Sequence, residues 1–251
     1  VNGDRNYDAR TTRRAVEMLL ADEDKYSGHL LLNQRVETPI GSGFGASAAS
    51  CVSATYAVAD LLGIRKSKKA LALFPYRAEI MEHTGLGTVS VVYDGLGAGA
   101  ITTAGEPGVA LFKKVKVPSD IRIVTATIAS FDKEDALSSR TTSKKINRLG
   151  RHALKAFLAD PTLDSLAQEG ERFSRGLGLE TPEVRKLLAA AKSSGAMYAS
   201  QNMVGYATHA LVDKDRSKKV AAALSSLGKK IRVEIFEIGK QRARVLRATR
   251  R

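Results

Sequence analysis

Pro39-Ile40-Gly41-Ser42-Gly43-Phe44-Gly45-Ala46-Ser47-Ala48-Ala49-Ser50 is the stretch on which the reading of this chain turns. Glycines at three alternate positions remove Cβ atoms where a backbone must turn sharply or come close to a ligand. On its N-terminal side, His29 to Val36 alternates loosely around Leu30-Leu31-Leu32. It is expected to form a strand ending at Thr38-Pro39, because proline cannot donate a further ladder bond. On its C-terminal side, Ala46 to Ala59 is free of charge and predicts a helix to about Leu62, buried on most sides. Strand, glycine turn and helix N-terminus together offer N–H donors and the positive end of a helix dipole, which is what a polyphosphate needs. The spacing is neither Gly-x-x-x-x-Gly-Lys-Ser/Thr nor a dinucleotide fingerprint. On local pattern alone, a tight turn packed under a buried helix explains the same residues, and both readings stay open.

Working outward, Ala15, Val16, Met18, Leu19 and Leu20 mark a helix that stops near Asp24. A second helix is expected over Lys66 to Glu82. After Gly85-Leu86-Gly87 come two β-like runs, Thr88 to Tyr93 and Gly99 to Ala104, and a strong turn at Gly105-Glu106-Pro107-Gly108. Ile121 to Ile128 reads as a strand. Helices follow at Ser139 to Leu158, Leu163 to Gly176 and Pro182 to Lys192, with Pro161 and Pro182 at helix starts. The last section reads as strands at Ala196 to Ser200 and Gly205 to Val212, a helix at Asp215 to Leu227 and a strand at Ile231 to Ile238. The layout is α+β.

Composition narrows the class of function. The 251 residues carry 40 Lys and Arg against 26 Asp and Glu, a formal net charge of +14. A basic protein suggests a polyanionic partner, yet Lys229 to Arg251 alone holds nine basic and two acidic residues, half of the excess. Within it, the apolar alternation up to Ile238 reads as a sheet strand, and only Lys240 to Arg251 as a solvated end. Trp is absent and the Tyr and Phe residues do not cluster, so stacking platforms for nucleic acid are not expected. The single cysteine, Cys51, excludes an internal disulfide and fits a reducing, cytoplasmic setting; it reads as a packing residue within the apolar helix. No structural zinc is expected from four dispersed histidines. No apolar run is long enough to span a membrane, and no signal peptide opens the sequence.

Pro39 followed by Gly43-Phe44-Gly45-Ala46-Ser47-Ala48-Ala49 resembles the nucleotide loop of the GHMP kinases, a superfamily named for galactose, homoserine, mevalonate and phosphomevalonate substrates. Ala78-Glu79, Gly85-Leu86-Gly87, Gly97, Gly105-Glu106-Pro107-Gly108 and Gly205-Tyr206-Ala207 resemble, within it, the archaeal pantoate kinases. The resemblance implies a GHMP-kinase-like fold of two packed α+β halves, 1–128 with the nucleotide loop and 129–251, and an active site in the cleft between them. It implies ATP and Mg²⁺ as cofactors, a small anionic acceptor, pantoate, and transfer of the γ-phosphoryl group to it on the route to coenzyme A. A homodimer is left open. Other acceptors (homoserine, shikimate, mevalonate), a nucleotide-binding protein without kinase activity and a basic nucleic-acid-binding protein are the alternatives.

Carried over residue by residue, the resemblance implies that Pro39, Ile40, Gly41, Ser42, Gly43, Phe44, Gly45, Ala46, Ser47 and Ala48 wrap the ATP phosphates. Ser47 and Glu79 would serve Mg²⁺. Ser47 would also act at the reaction centre, although a first-turn serine satisfying backbone N–H groups looks the same. Without the resemblance, Glu79 is a solvated helix residue. His83, Gly85, Leu86 and Gly87 would meet the acceptor, His83 being otherwise a helix C-terminal dipole partner. Thr88 occupies the place of the family's aspartate, the expected base, and threonine cannot take that proton near neutral pH; Asp94 or Glu106 could substitute. The family's opening strand, with its Pro-Gly/Ala-His-Ile-Thr segment, does not precede Val1, so the N-terminal strands are expected to be missing. Either about 50 residues stand before this numbering or the fold is trimmed at one edge.

Overall fold

The computed structural model describes residues 1–23, 26, 28–85, 87–95, 97–129, 140–202, 205–239 and 241–246. The expected mixture of helices and strands is present. In chain order the elements are α1 (Arg10–Asp22), α2 (Ala46–Leu61), α3 (Lys68–Met81), α4 (Thr88–Asp94), β1 (Ala98–Thr103), β2 (Leu111–Val115) and β3 (Ile121–Ala129). They continue as α5 (Arg140–Ala159), α6 (Leu163–Leu177), α7 (Pro182–Ser194), β4 (Tyr198–Gln201), β5 (Tyr206–Asp213), α8 (Lys214–Ser225) and β6 (Arg232–Phe236).

Two hydrophobic cores hold the molecule together. The first is built by α1, α2, α3 and α4, with Ala15, Leu19, Cys51, Val52, Phe74, Ala78 and Val89 inside it. The small residues of α2 let it bury most of its sides, as its uncharged sequence foretells, and leave one exposed face of Ala49, Ser53, Ala57, Asp60 and Leu61. Ser67 starts α3 by accepting a hydrogen bond from Ala70 N at 3.1 Å. The second core lies between a four-stranded antiparallel sheet, in the order β4-β5-β3-β6, and helices α7 and α8. Val124, Ala126, Ala210 and Val212 point into it, and Leu187, Val220 and Leu224 cover them. Thr162 and Thr181 cap α6 and α7, Pro182 opens α7, and Gly195 closes it in the left-handed conformation.

Three local expectations fail, each for a physical reason. Residues 29–36 form no strand: among the described residues no strand lies beside them, and Leu31 is 93% exposed. Thr88 to Tyr93 is helical. Gly87 turns left-handed before it, and packing of Val89 and Ser90 against α2 and α3 overrides the β preference of the valines. Strand β2, not expected at all, pairs antiparallel with β1; Gly108 provides the left-handed turn residue ahead of it.

Strand β3 pairs only with β5 and β6, so its buried side chains belong to the second core. The opposite face of that sheet, with Ile123, Ser200, His209 and Leu211, looks toward α4 and β1 across a cavity of about 860 Å³. The basic end is less solvated than expected. Gln241, Arg242 and Ala243 line the same cavity, Ala243 packs on the first core, and Arg242 reaches Asp94 at 3.9 Å. Lys240 and residues 247–251 lie outside the described residues. No described helix is long and apolar enough to cross a membrane.

Candidate active site

The glycine turn adopts the conformation its composition demands. Gly41, Gly43 and Gly45 have φ of 74°, 83° and 73°, the left-handed region that side chains disfavour. Gly45 is the N-cap of α2 and supplies no side-chain cap. The first-turn N–H groups of Ala46, Ser47 and Ala48 therefore have no partner within the helix, and they stand at the positive end of the helix dipole. Ile40, Gly41, Gly43, Phe44, Gly45, Ala46 and Ser47 line a cavity of about 240 Å³. Pro39, Ser42 and Ala48, expected in the same role, do not line it. Ser42 is turned inward and buried.

The far wall of this cavity comes from the start of α1, Ala9 to Thr12, and from His83 and Thr84. Two helix N-termini thus face one space. Thr11 and Thr84 share a hydroxyl hydrogen bond of 2.9 Å, which ties α1 to the end of α3. His83 is exposed and holds a left-handed φ of 52° just beyond the helix, so its ring meets the cavity rather than capping α3. Gly87 is the N-cap of α4, and Leu86 lies outside the described residues.

Glu79 is not the solvated residue that composition suggests, since it is only 3% exposed. Its carboxylate packs against Gly85 so closely that a Cβ there would fall 2.2 Å from Oε2. Gly85 thus earns its place by steric room rather than by lining the cavity. Glu79 itself does not line the cavity that Ser47 lines. Among the described residues no three His, Cys, Asp or Glu side chains cluster as a metal cage. A hard cation held here would take most of its shell from water and phosphate oxygens.

Thr88, the first residue of α4, stands beside the loop: a Cβ on Gly45 would lie 3.0 Å from its methyl group. Asp94 is no substitute base at this point. It pairs with Lys114 at 2.8 Å and lines the larger cavity instead.

Burial, and after it the charge of Glu79, push the Cys51 thiol up to about 12. Its Sγ donates to Thr11 O at 3.3 Å. The thiol stays protonated below that value, and only about one molecule in ten thousand carries a thiolate at pH 8. Native protein is expected to resist a maleimide at pH 7 to 9 and to react fully once unfolded, which a mass shift reads directly; rapid native labelling would contradict the packing role.

Behind the loop lie residues that sequence reading missed. Asn202 and Gly205, between β4 and β5 in the chain, press against Ser42 and Gly43. Asn202 also meets His209, whose pKa is lowered by burial, with the charge of Glu171 opposing. A short polar run, Gln201-Asn202, ahead of a glycine was the available signal.

Residues 10–97 match the model of the GHMP kinases N terminal domain. The chain is 27% identical over 214 residues to the pantoate kinase of Methanospirillum hungatei JF-1, covering 84% of this chain and 67% of that protein. A shorter stretch of 69 residues is 32% identical to the mevalonate kinase of Pyrococcus furiosus, covering 28% of this chain and 21% of that protein. Among solved structures, a "phosphotransferase related to CoA biosynthesis pathway" superposes with a TM-score of 0.83 at 23% identity, over 96% of this chain and 78% of that one. The mevalonate kinase of Methanococcus jannaschii gives 0.67 at 16% identity, over 96% and 78%. The fold is that of the GHMP kinases.

Proposed function

We propose that this chain is an ATP-dependent small-molecule kinase that phosphorylates pantoate, its two halves meeting around the nucleotide. The observation that carries the kinase reading is the glycine loop. Three left-handed glycines and the uncapped start of α2 line a small cavity, faced by a second helix N-terminus. Backbone N–H groups of residues 41 to 48 would hold the phosphates without reorganising as charge moves in the transition state. Ser47, at the mouth of α2, would bring its hydroxyl to a phosphate oxygen or to Mg²⁺, with Glu79 the nearest buried carboxylate. Mg²⁺, when bound with ATP, would neutralise charge on the triphosphate. His83 would meet the anionic acceptor across the cavity, with Gly85 and Gly87 shaping the loop beside it. Similarity to the Methanospirillum hungatei JF-1 pantoate kinase supports pantoate as the acceptor.

The test is ADP release in a coupled assay with pantoate, mevalonate, homoserine and shikimate. Turnover with pantoate is expected to exceed the others by at least tenfold; activity with mevalonate and none with pantoate would reassign the acceptor. Thr88 favours a second reading, a nucleotide-binding protein that transfers nothing. Calorimetric ATP binding without turnover on any acceptor would select it.

A further inference from the structure

We propose that Asn202 and His209 are positioning residues that lock the Ser42–Gly43 peptide plane, so that the glycine loop presents its N–H groups to the phosphates. Asn202 Nδ2 donates to Ser42 O at 3.3 Å, and Asn202 Oδ1 lies 2.7 Å from His209 Nδ1. The amide orientation follows from chemistry. Ser42 O is an acceptor only, so the NH₂ group must face it and the oxygen must face the histidine. His209 Nδ1 therefore carries the proton and donates.

The consequence reaches the loop through planarity. The Ser42–Gly43 peptide is trans, as are all peptides among the described residues, so its C=O and N–H point in opposite directions. Holding Ser42 O down on Asn202 turns the Gly43 N–H outward, to the side where Gly43 lines the 240 Å³ cavity. A peptide before a left-handed glycine is otherwise free to flip, because glycine accepts either sign of φ. A flip would replace a donor with a carbonyl oxygen facing the phosphates.

Packing alone does not remove that freedom. It does fix the distance: a Cβ on Gly205 would fall 2.6 Å from Ser42 C and O. Asn202 holds the orientation; it is buried and held at its own backbone by N–H to Ala207 O at 2.9 Å and by Gly205 N to its O at 2.8 Å. His209 comes from the middle of the sheet, with Ser200 and Thr125 as its cross-strand neighbours. Loop geometry is in this way set by a strand of the second half, a long way along the chain from Ser42.

This inference rests on the kinase reading only for the identity of the ligand, so two measurements separate them. In His209→Leu the donor to Asn202 is lost; in His209→Gln a side-chain N–H can replace it. The conformational-exchange contribution to NMR relaxation of the backbone amides of residues 41 to 46, without nucleotide, is expected to rise about tenfold in His209→Leu and to stay within twofold of the parent in His209→Gln. The dissociation constant of a non-hydrolysable ATP analogue is expected to follow the same pattern, with the KM of the acceptor unchanged. Unaltered loop exchange in His209→Leu would overturn the proposal, as would equal damage in both variants, which is the mark of simple packing. If the parent protein bound no analogue, the kinase reading would fall, and the exchange data would still decide whether the peptide plane is held.

Discussion

Gly43→Ala is expected to lower kcat/KM for ATP by about 100-fold while leaving the protein folded. Two effects combine at this position. An alanine held at the left-handed φ of 83° is strained by roughly 1 to 2 kcal/mol. Its Cβ would also lie 2.8 Å from Asn202 O and 2.9 Å from Asn202 Cβ. One obstacle is backbone, which cannot swing aside like the end of a long side chain. The loop would have to lift off Asn202, and displacement of binding groups by about 1 Å is enough to cost two orders of magnitude in rate. Neither core contains Gly43, so the melting temperature should fall by only a few degrees.

Gly63→Ala is the matching control. Its φ is 66°, yet nothing lies within 4 Å of the added methyl group. It should lose stability by about 1 kcal/mol and bind ATP normally. If Gly43→Ala behaved like Gly63→Ala, close approach to Asn202 would have no functional weight.

The contrast also shows what the sequence could reveal. Alternate glycines before an uncharged run were enough to locate the loop, because left-handed turns and buried helices leave marks in the residues that form them. Most helices and the second-half strands were legible for the same reason: Thr162, Thr181, Pro182 and Gly195 are local signals with local causes. Residues 29 to 36 misled because alternation shows what a strand's faces would be, not whether a partner strand exists. Thr88 to Tyr93 misled in the other direction, since β-branched residues became helical once Gly87 and the packing of Val89 had set the backbone. Glu79 looked solvated because burial of a carboxylate depends on Gly85, six residues away, making room for it. Asn202 and His209 could not be linked to Ser42 by any pattern, because that contact is made by packing between segments far apart in the chain. Charge was the least informative signal. Arg242, from the basic end, meets Asp94 beside the large cavity, so part of the positive excess is spent within the protein.

Thr88→Asp is expected to raise kcat by about 100-fold, within the range of about 10² to 10⁴ that general base catalysis supplies. The side chain enters at the first turn of α4, beside Gly45 and the N-terminus of α2. Helix N-termini favour an anion, so the new carboxylate should be ionised at neutral pH and able to take a proton from an acceptor hydroxyl. The same charge would repel the γ-phosphate. Two unit charges about 4 Å apart in water interact by about 1 kcal/mol, which is roughly a fivefold loss in ATP affinity and far smaller than the expected gain. The signature is therefore a split: kcat rises strongly while the KM of ATP rises by less than tenfold. Stability should hold or improve, since aspartate suits the first turn better than threonine does. An unchanged or reduced kcat would mean that the acceptor hydroxyl does not approach Thr88, and that the parent protein, if it turns over at all, loses that proton to solvent or to the phosphate.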